Sequence, residues 1–265
     1  MFGSRWNGAD LDSPIRRARS GPVRRLIRRV VVGENTAARR NVRNMLELLS
    51  PNGRPRILVV GGAVKGSGLD PLYAHAEVEL LSFDIYTSAL VDLVADAHSI
   101  PLKDCCVDGV IVQAVLEHVA DPWKVVAEIE RVLRPGGIVY ADSPFLQPVH
   151  EGPYDFFRFS ESAHRYLFRN FSWLSSGVVA GSGAQTLWSI EYLVRGLFRS
   201  VWAGKIAKCA FCWLRLLDLC IPNQYAIDAA CGVYFLGRKE GKVLTNAELV
   251  EYYSGSQQLR RMDVA

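Results

Sequence analysis

The 265-residue sequence predicts an α/β chain, a mostly parallel sheet covered by helices, and three observations carry that expectation. Arg56-Ile57-Leu58-Val59-Val60 runs straight into a glycine-rich turn, Gly61-Gly62-Ala63-Val64-Lys65-Gly66-Ser67-Gly68. A second apolar run, 78–85, carries a lone carboxylate, Asp84, near its end. Strand-like and helix-like segments then alternate as far as residue 142.

Ile57 to Val60 is the pattern of a strand buried on both faces, and the glycines after it allow positive φ and close approach of a ligand. A glycine loop after one strand and an acid at the tip of the next are the two halves of a ribose-binding crevice, so a nucleotide-type ligand is expected. Upstream, Glu34 to Leu49 is helical, with Val42, Met45, Leu46 and Leu49 on one face and Ser50-Pro51-Asn52-Gly53 as its stop. Downstream, 69–75 forms a short helix or turn, and Val91 to Ala97 is a short alternating segment. Val107 to Val112 reads as a buried strand. Asp121 caps a helix with Pro122 at its first position and Val125, Val126, Ile129, Val132 and Leu133 as its apolar stripe. Arg131 and Arg134 suit that helix's negative pole, and Pro135-Gly136-Gly137 is expected to end it before a strand at Ile138–Ala141. Ser160 to Phe168 reads as a capped helix, and 171–180 and 231–238 as two further strands.

Charge is split along the chain. Residues 1–56 hold thirteen arginines, no lysine and four acids, a net of +9 against +4 for the whole. A basic arm on a mildly acidic domain follows, with a short amphipathic helix and attraction to anionic headgroups as one reading of residues 13–33, and a solvated arm as the other. The six cysteines show no framework spacing, and Cys209-x-x-Cys212 has no second pair, so no metal is expected and the thiols are read as buried or unreactive in a reducing compartment. Neither a transmembrane run nor a signal peptide is evident, which gives a cytoplasmic expectation, peripheral at the membrane.

Gly61-Gly62, Asp84, Asp96-Ala97, Val115-Leu116-Glu117-His118-Val119, Asp121-Pro122 and Arg131-Val132-Leu133-Arg134-Pro135-Gly136-Gly137 together resemble the class I S-adenosylmethionine-dependent methyltransferases, in the small-molecule group. The likeness covers roughly residues 54–160, and a nicotinamide-dependent oxidoreductase would leave 115–137 unexplained. It implies a Rossmann-like, doubly wound, seven-stranded sheet with a helical insertion before the last strand. It implies S-adenosyl-L-methionine as cofactor, held by Gly61, Gly62, Ala63, Gly66, Asp84, Ile85, Asp96, Ala97, Gln113 and Ala114. Two positions depart from the family's pattern: Val59 stands where an acid is usual, two before the first glycine, and Ala63 where a third glycine is. A catalytically inactive member of the fold, binding a partner or membrane, is therefore the alternative. Nucleic acid is a disfavoured substrate, since no Asn-Pro-Pro-Tyr-like motif stands at 113–116.

Past the fifth strand, residues 143–159 mix aromatics with charge at the edge where ligands bind in open α/β folds. Tyr154, Asp155 and Arg158 are the substrate-binding candidates. His118 and His150 are the candidate proton acceptors, because histidine titrates near working pH. The expected acceptor is a small molecule or a lipid- or sugar-linked one. The insertion, about 184–222, is unusually apolar: Leu187, Ile190, Val194, Leu197, Phe198 and Val201 share a helical face, and Ile206 to Ile221 is apolar almost all round. Such a segment caps the site, pairs two copies or meets lipid. Residues 1–50 are thus read as arm and helix, 51–240 as the methyltransferase domain, and 241–265 as a polar tail with a capping box at Thr245–Glu248.

Overall fold

The computed structural model describes residues 33–258, so the arginine-rich arm expected over 13–33 lies outside the described residues except for Gly33. Helix α1 (Thr36–Leu49) opens on Asn35, whose side chain accepts from the Ala38 amide at 2.8 Å. Then follow β1 (Arg56–Val60), α2 (Asp70–Ala74), β2 (Glu79–Asp84), β3 (Leu93–Val94), β4 (Val107–Gln113), α3 (Pro122–Val132), β5 (Leu133–Pro144), α4 (Glu161–Leu167), β6 (Ser172–Ala180), α5 (Ser182–Phe198), α6 (Val201–Ala210), α7 (Asn223–Ala226), β7 (Gly232–Arg238) and α8 (Asn246–Tyr252). The seven strands make one sheet in the order β3-β2-β1-β4-β5-β7-β6, parallel except where β7 pairs antiparallel with β5 and β6. That is the doubly wound sheet that the resemblance implies.

Because successive strand residues face opposite sides, β1 feeds two cores. Ile57 and Val59 join Ile111, Ile138 and Tyr140 under the α1 residues Val42, Met45 and Leu49. Leu58 and Val60 join Val110, Val112, Val139 and Ala141 under Val125, Ile129 and Val132 of α3 and the Phe168–Phe171 cluster. Helix α1 is therefore an integral layer of the domain. The chain end returns as well: α8 carries the complete capping box, and Tyr252 reaches Glu161 at 3.2 Å.

Four expectations are corrected. Pro135-Gly136-Gly137 lies inside β5, not after α3. Leu133 already pairs with Val107, and the Pro-Gly-Gly segment is a bulge between that pair and the Gly109–Ile138 pair, with Gly136 at φ +79°. Of the two arginines assigned to the negative pole of α3, Arg131 lies in its last turn and Arg134 lies beyond it in β5, and neither bonds its terminal carbonyls. They pair with Glu128, Asp104 and Asp108, while the Lys239 ammonium donates to the Glu130 and Leu133 carbonyls at 2.6 and 2.8 Å. In the insertion, Val201 does not continue the face of α5. Arg199 turns left-handed at φ +48°, and the Ser200 hydroxyl caps a new helix; α6 in turn stops at Ala210, and a 3-10 helix, Cys212–Leu219, follows. Finally, Cys105, Cys209 and Cys220 are exposed free thiols, and only Cys231 is buried. Burial pushes that one up to about 12.

Candidate active site

The parallel strands β2, β1, β4 and β5 all end on one edge, and the chain reverses its winding between β1 and β4, where open α/β sheets form their ligand crevice. From β1 comes the glycine loop. The Gly61 and Gly62 amides both donate to the Phe83 carbonyl, at 3.0 and 2.9 Å, folding the loop over the end of β2. A Cβ at Gly61 would lie 2.4 Å from Val115, and one at Gly66 only 1.8 Å from the Gln113 side chain. At Gly61, with φ +75°, only glycine fits; at Gly66 a side chain would push the Gln113 amide out of the loop. Asp84 sits against the loop, its carboxylate accepting from the Ala63 amide at 2.9 Å and the Tyr86 amide at 3.1 Å.

From β4 come Gln113 and Ala114. Ala114 holds φ +52°, an uncommon conformation for a residue with a Cβ, and its amide donates to the Asp142 carbonyl. The Gln113 amide group bridges the loop to β5, donating to the Ser67 carbonyl at 3.1 Å and to Asp142 at 2.9 Å, while its own oxygen is buried and finds no partner among the described residues. Asp142 is a carboxylate that reading the sequence missed. It is nearly fully buried and also accepts from Asn35 and Tyr140, each at 2.9 Å. Burial raises its pKa; the three donors oppose that rise. The signal was present in its position, an acid closing an apolar strand next to Gln113.

The predicted cofactor residues fall into two groups. Gly61, Gly62, Ala63, Gly66, Asp84, Gln113 and Ala114 converge on the ends of β1, β2 and β4. Farther along, Ile85 is exposed just beyond β2, Asp96 is engaged with His98, and the Ala97 side chain packs in the core beside Ile100 and Leu116.

His118 and His150, far apart in sequence, are brought ring to ring, with centroids 5.0 Å apart at 75°. Between them lies Glu117, a second missed residue: fully buried, with both carboxylate oxygens unpartnered among the described residues. Burial raises Glu117 to about 8. Its Oε1 is 3.6 Å from His118 Nε2 and 3.9 Å from His150 Nε2. Of the substrate candidates, Tyr154 is exposed, but Asp155 and Arg158 are engaged with each other. The Asp155 carboxylate, held well below its usual range by that guanidinium, also accepts from the His150 amide at 2.8 Å. The insertion reaches this loop, where the Tyr192 hydroxyl donates to the Val149 carbonyl at 2.6 Å.

A family model described as a methyltransferase domain matches residues 64–141. A ubiquinone/menaquinone biosynthesis C-methyltransferase of Acidiphilium cryptum is 31% identical over 104 residues, 39% of this chain and 37% of that protein. A Mycolicibacterium smegmatis protein named as a probable S-adenosylmethionine-dependent methyltransferase is 33% identical over 120 residues, 44% of each chain. The chain thus spans less than half the length of these curated relatives. Among solved structures, a Galdieria sulphuraria protein assigned as a sarcosine dimethylglycine methyltransferase superposes with a TM-score of 0.51, covering 83% of this chain and 98% of that one. At 16% identity that is a likeness of fold alone.

Proposed function

We propose that this chain, which carries a methyltransferase domain of the class I S-adenosylmethionine-dependent type, transfers a methyl group to a small or lipid- or sugar-linked acceptor. The observation that carries this reading is the contact of Asp84 with the glycine loop, at the switch point of a sheet of this order. The residues fit the cofactor: a glycine at 61 with positive φ and no room for a Cβ, a carboxylate at the tip of β2, and an unpartnered oxygen on Gln113 at the loop's far end. Gly61, Gly62, Ala63 and Gly66 would line it, Asp84 would accept from its ribose hydroxyls, and Asp96, the Ala97 backbone and Ile85 would meet its base. Asp142 supplies buried negative charge in the cleft where Val59 does not, and Gln113 links it to the loop.

Bound S-adenosyl-L-methionine supplies a methyl carbon already activated by the sulfonium. The chain's own task is then to hold the acceptor in line, and such positioning is worth about 7–11 kcal/mol. Tyr154 would contact the acceptor, while Asp155 and Arg158 fix the loop that presents it. His118 and His150 would take the acceptor's proton, if it must lose one.

Titration of the full chain with S-adenosylhomocysteine, against Asp84→Ala and with NAD as control, tests this. Micromolar binding that weakens at least about tenfold in the variant is expected, since losing two charged hydrogen bonds costs well over 1.4 kcal/mol. Absence of binding would favour the inactive alternative.

For lipid contact the insertion is the supporting surface. Leu197, Phe198, Trp202 and Ile206 are all more than two-thirds exposed, with Arg195, Arg199 and Lys205 beside them. No helix among the described residues is long and apolar enough to cross a membrane. An anionic bilayer surface is the occupant that this charge favours. Co-sedimentation with phosphatidylglycerol vesicles, lost in Phe198→Asp/Trp202→Asp and absent with phosphatidylcholine, is the expected result. Equal pelleting of wild type and variant would remove the idea.

A further inference from the structure

Glu117, His118 and His150 stand in the acceptor end of the cleft in an arrangement that acid–base chemistry alone leaves unexplained. A carboxylate with no exposure should find donors, because an unpaired buried charge is among the costliest features a fold carries. Arg158 is near enough to act on it electrostatically, yet four of its five N–H groups are spent elsewhere. Nε goes to the Gln147 carbonyl, one terminal nitrogen to Asp155 and the Phe157 carbonyl, and the other to Asp155. The surrounding chain holds Glu117 in place nonetheless, with the Phe156 amide donating to its carbonyl at 2.8 Å and the Phe157 amide at 3.2 Å.

The two imidazoles are oriented in the same sense. His118 Nδ1 lies 2.7 Å from the Tyr154 carbonyl, which can only accept, so Nδ1 carries the proton and Nε2 keeps its lone pair. His150 Nδ1 lies 3.3 Å from the Asp155 carboxylate and 3.4 Å from the Pro148 carbonyl, two acceptors again. Each Nε2 therefore presents a lone pair toward the same Glu117 oxygen, at 3.6 and 3.9 Å. Three ligand-type atoms thus face one common space, an arrangement that a single cation between them would satisfy at once. Ligand atoms of all three lie within 4.8 Å of one another. Around a zinc ion with ligands at about 2.1 Å, tetrahedral neighbours are about 3.4 Å apart, so a small inward movement closes the set.

We infer that Glu117, His118 and His150 form a divalent transition-metal site of the two-histidine, one-carboxylate class, with zinc as the reference ion. The pattern of an imidazole whose far nitrogen is tied to a carboxylate or carbonyl is what orients histidine ligands at such sites. Both histidine side chains keep 21% of their surface exposed, so the set has an open side where a further oxygen ligand can enter. Resting on the methyltransferase reading, the substrate class follows: an acceptor whose nucleophile is a hydroxyl, made acidic enough by coordination for its proton to leave to solvent through the open side, so that with the ion bound His118 and His150 act as ligands and not as the base. Metal binding itself does not depend on that reading.

The test uses the full chain with Cys105, Cys209, Cys212 and Cys220 changed to serine, so that accessible thiols do not compete, and stripped with a chelator. Zinc chloride is titrated by calorimetry, and cobalt(II) is followed by its visible absorption. One ion per chain with submicromolar affinity is expected, weakened at least about tenfold in His150→Ala, His118→Ala and Glu117→Gln. Melting curves restrict the comparison to variants that fold, and Glu117→Gln, which keeps the volume and loses the charge, is the least disruptive. No binding by the folded parent, or affinity unchanged in the folded variants, would overturn the site. S-adenosylhomocysteine titration of the same parent separates the two claims. Zinc bound without it keeps the metal site and loses the methyltransferase reading; the reverse keeps the latter and loses the metal.

Discussion

Two buried acids end up at the same edge of the sheet under opposite conditions. Asp142, at the end of β5, receives Asn35, Gln113 and Tyr140, and knits the N-terminus of α1 to the loop after β1. Glu117, just past β4, receives no donor among the described residues and faces two nitrogen lone pairs. The first arrangement is complete as it stands and supports a fixed cleft floor. The second is complete only with a guest. A buried charge therefore reports structure or chemistry according to whether its hydrogen-bonding capacity has been used, and burial alone does not distinguish them.

Removing Asp142 should do the most harm. Asp142→Ala takes the acceptor from three donors at once, Tyr140 buried and Asn35 and Gln113 partly so, and a loss of about 3–5 kcal/mol of stability is expected by chemical denaturation, with Asp142→Asn costing much less. If Asp142→Ala proved nearly neutral, the floor would not be held as described. Glu117 should respond with the opposite sign. Glu117→Leu, similar in volume and apolar, should raise the stability of the metal-free protein by about 1–2 kcal/mol, read as a melting-temperature gain of roughly 2–8 °C. A destabilised Glu117→Leu would mean that the carboxylate has partners after all, and the contrast between the two acids would collapse.

Much of this was legible in the sequence. The glycine loop, Asp84 and the helix from Asp121 rest on local rules, because a buried strand, a turn that needs glycine and an Asp-Pro cap each declare themselves within a few residues. The doubly wound, seven-stranded sheet came with the family likeness, and its order became visible only in the structure. What escaped depends on distant chain segments. Lys239 takes the helix end assigned to Arg131 and Arg134, because β7 runs alongside β5 there. The meeting of His150 with Glu117 depends on how the loop of 145–158 folds back, and no spacing encodes that. In the sequence Glu117 is one residue of the Val115–Val119 motif, and its lack of partners is a property of the packed state. The break at Arg199-Ser200 was readable, since a serine before an apolar run is a helix-start signal, but the continuous apolar face concealed it.

The insertion leaves and rejoins the sheet at one place. Ala180 and Gly232 are register partners across β6 and β7, and the Cys231 amide donates to the Ala180 carbonyl at 2.8 Å. Its far end closes on its start, with Asp218 accepting from the Gly183 and Ala184 amides at the first turn of α5. The helices between are thus a cassette hung on a single hairpin. Its attachment at one register pair means that a change of length between α5 and α7 would leave the pairing of β6 with β7 intact, while its hydrogen bond to the site loop, from Tyr192 to the Val149 carbonyl, would carry the effect to the cleft.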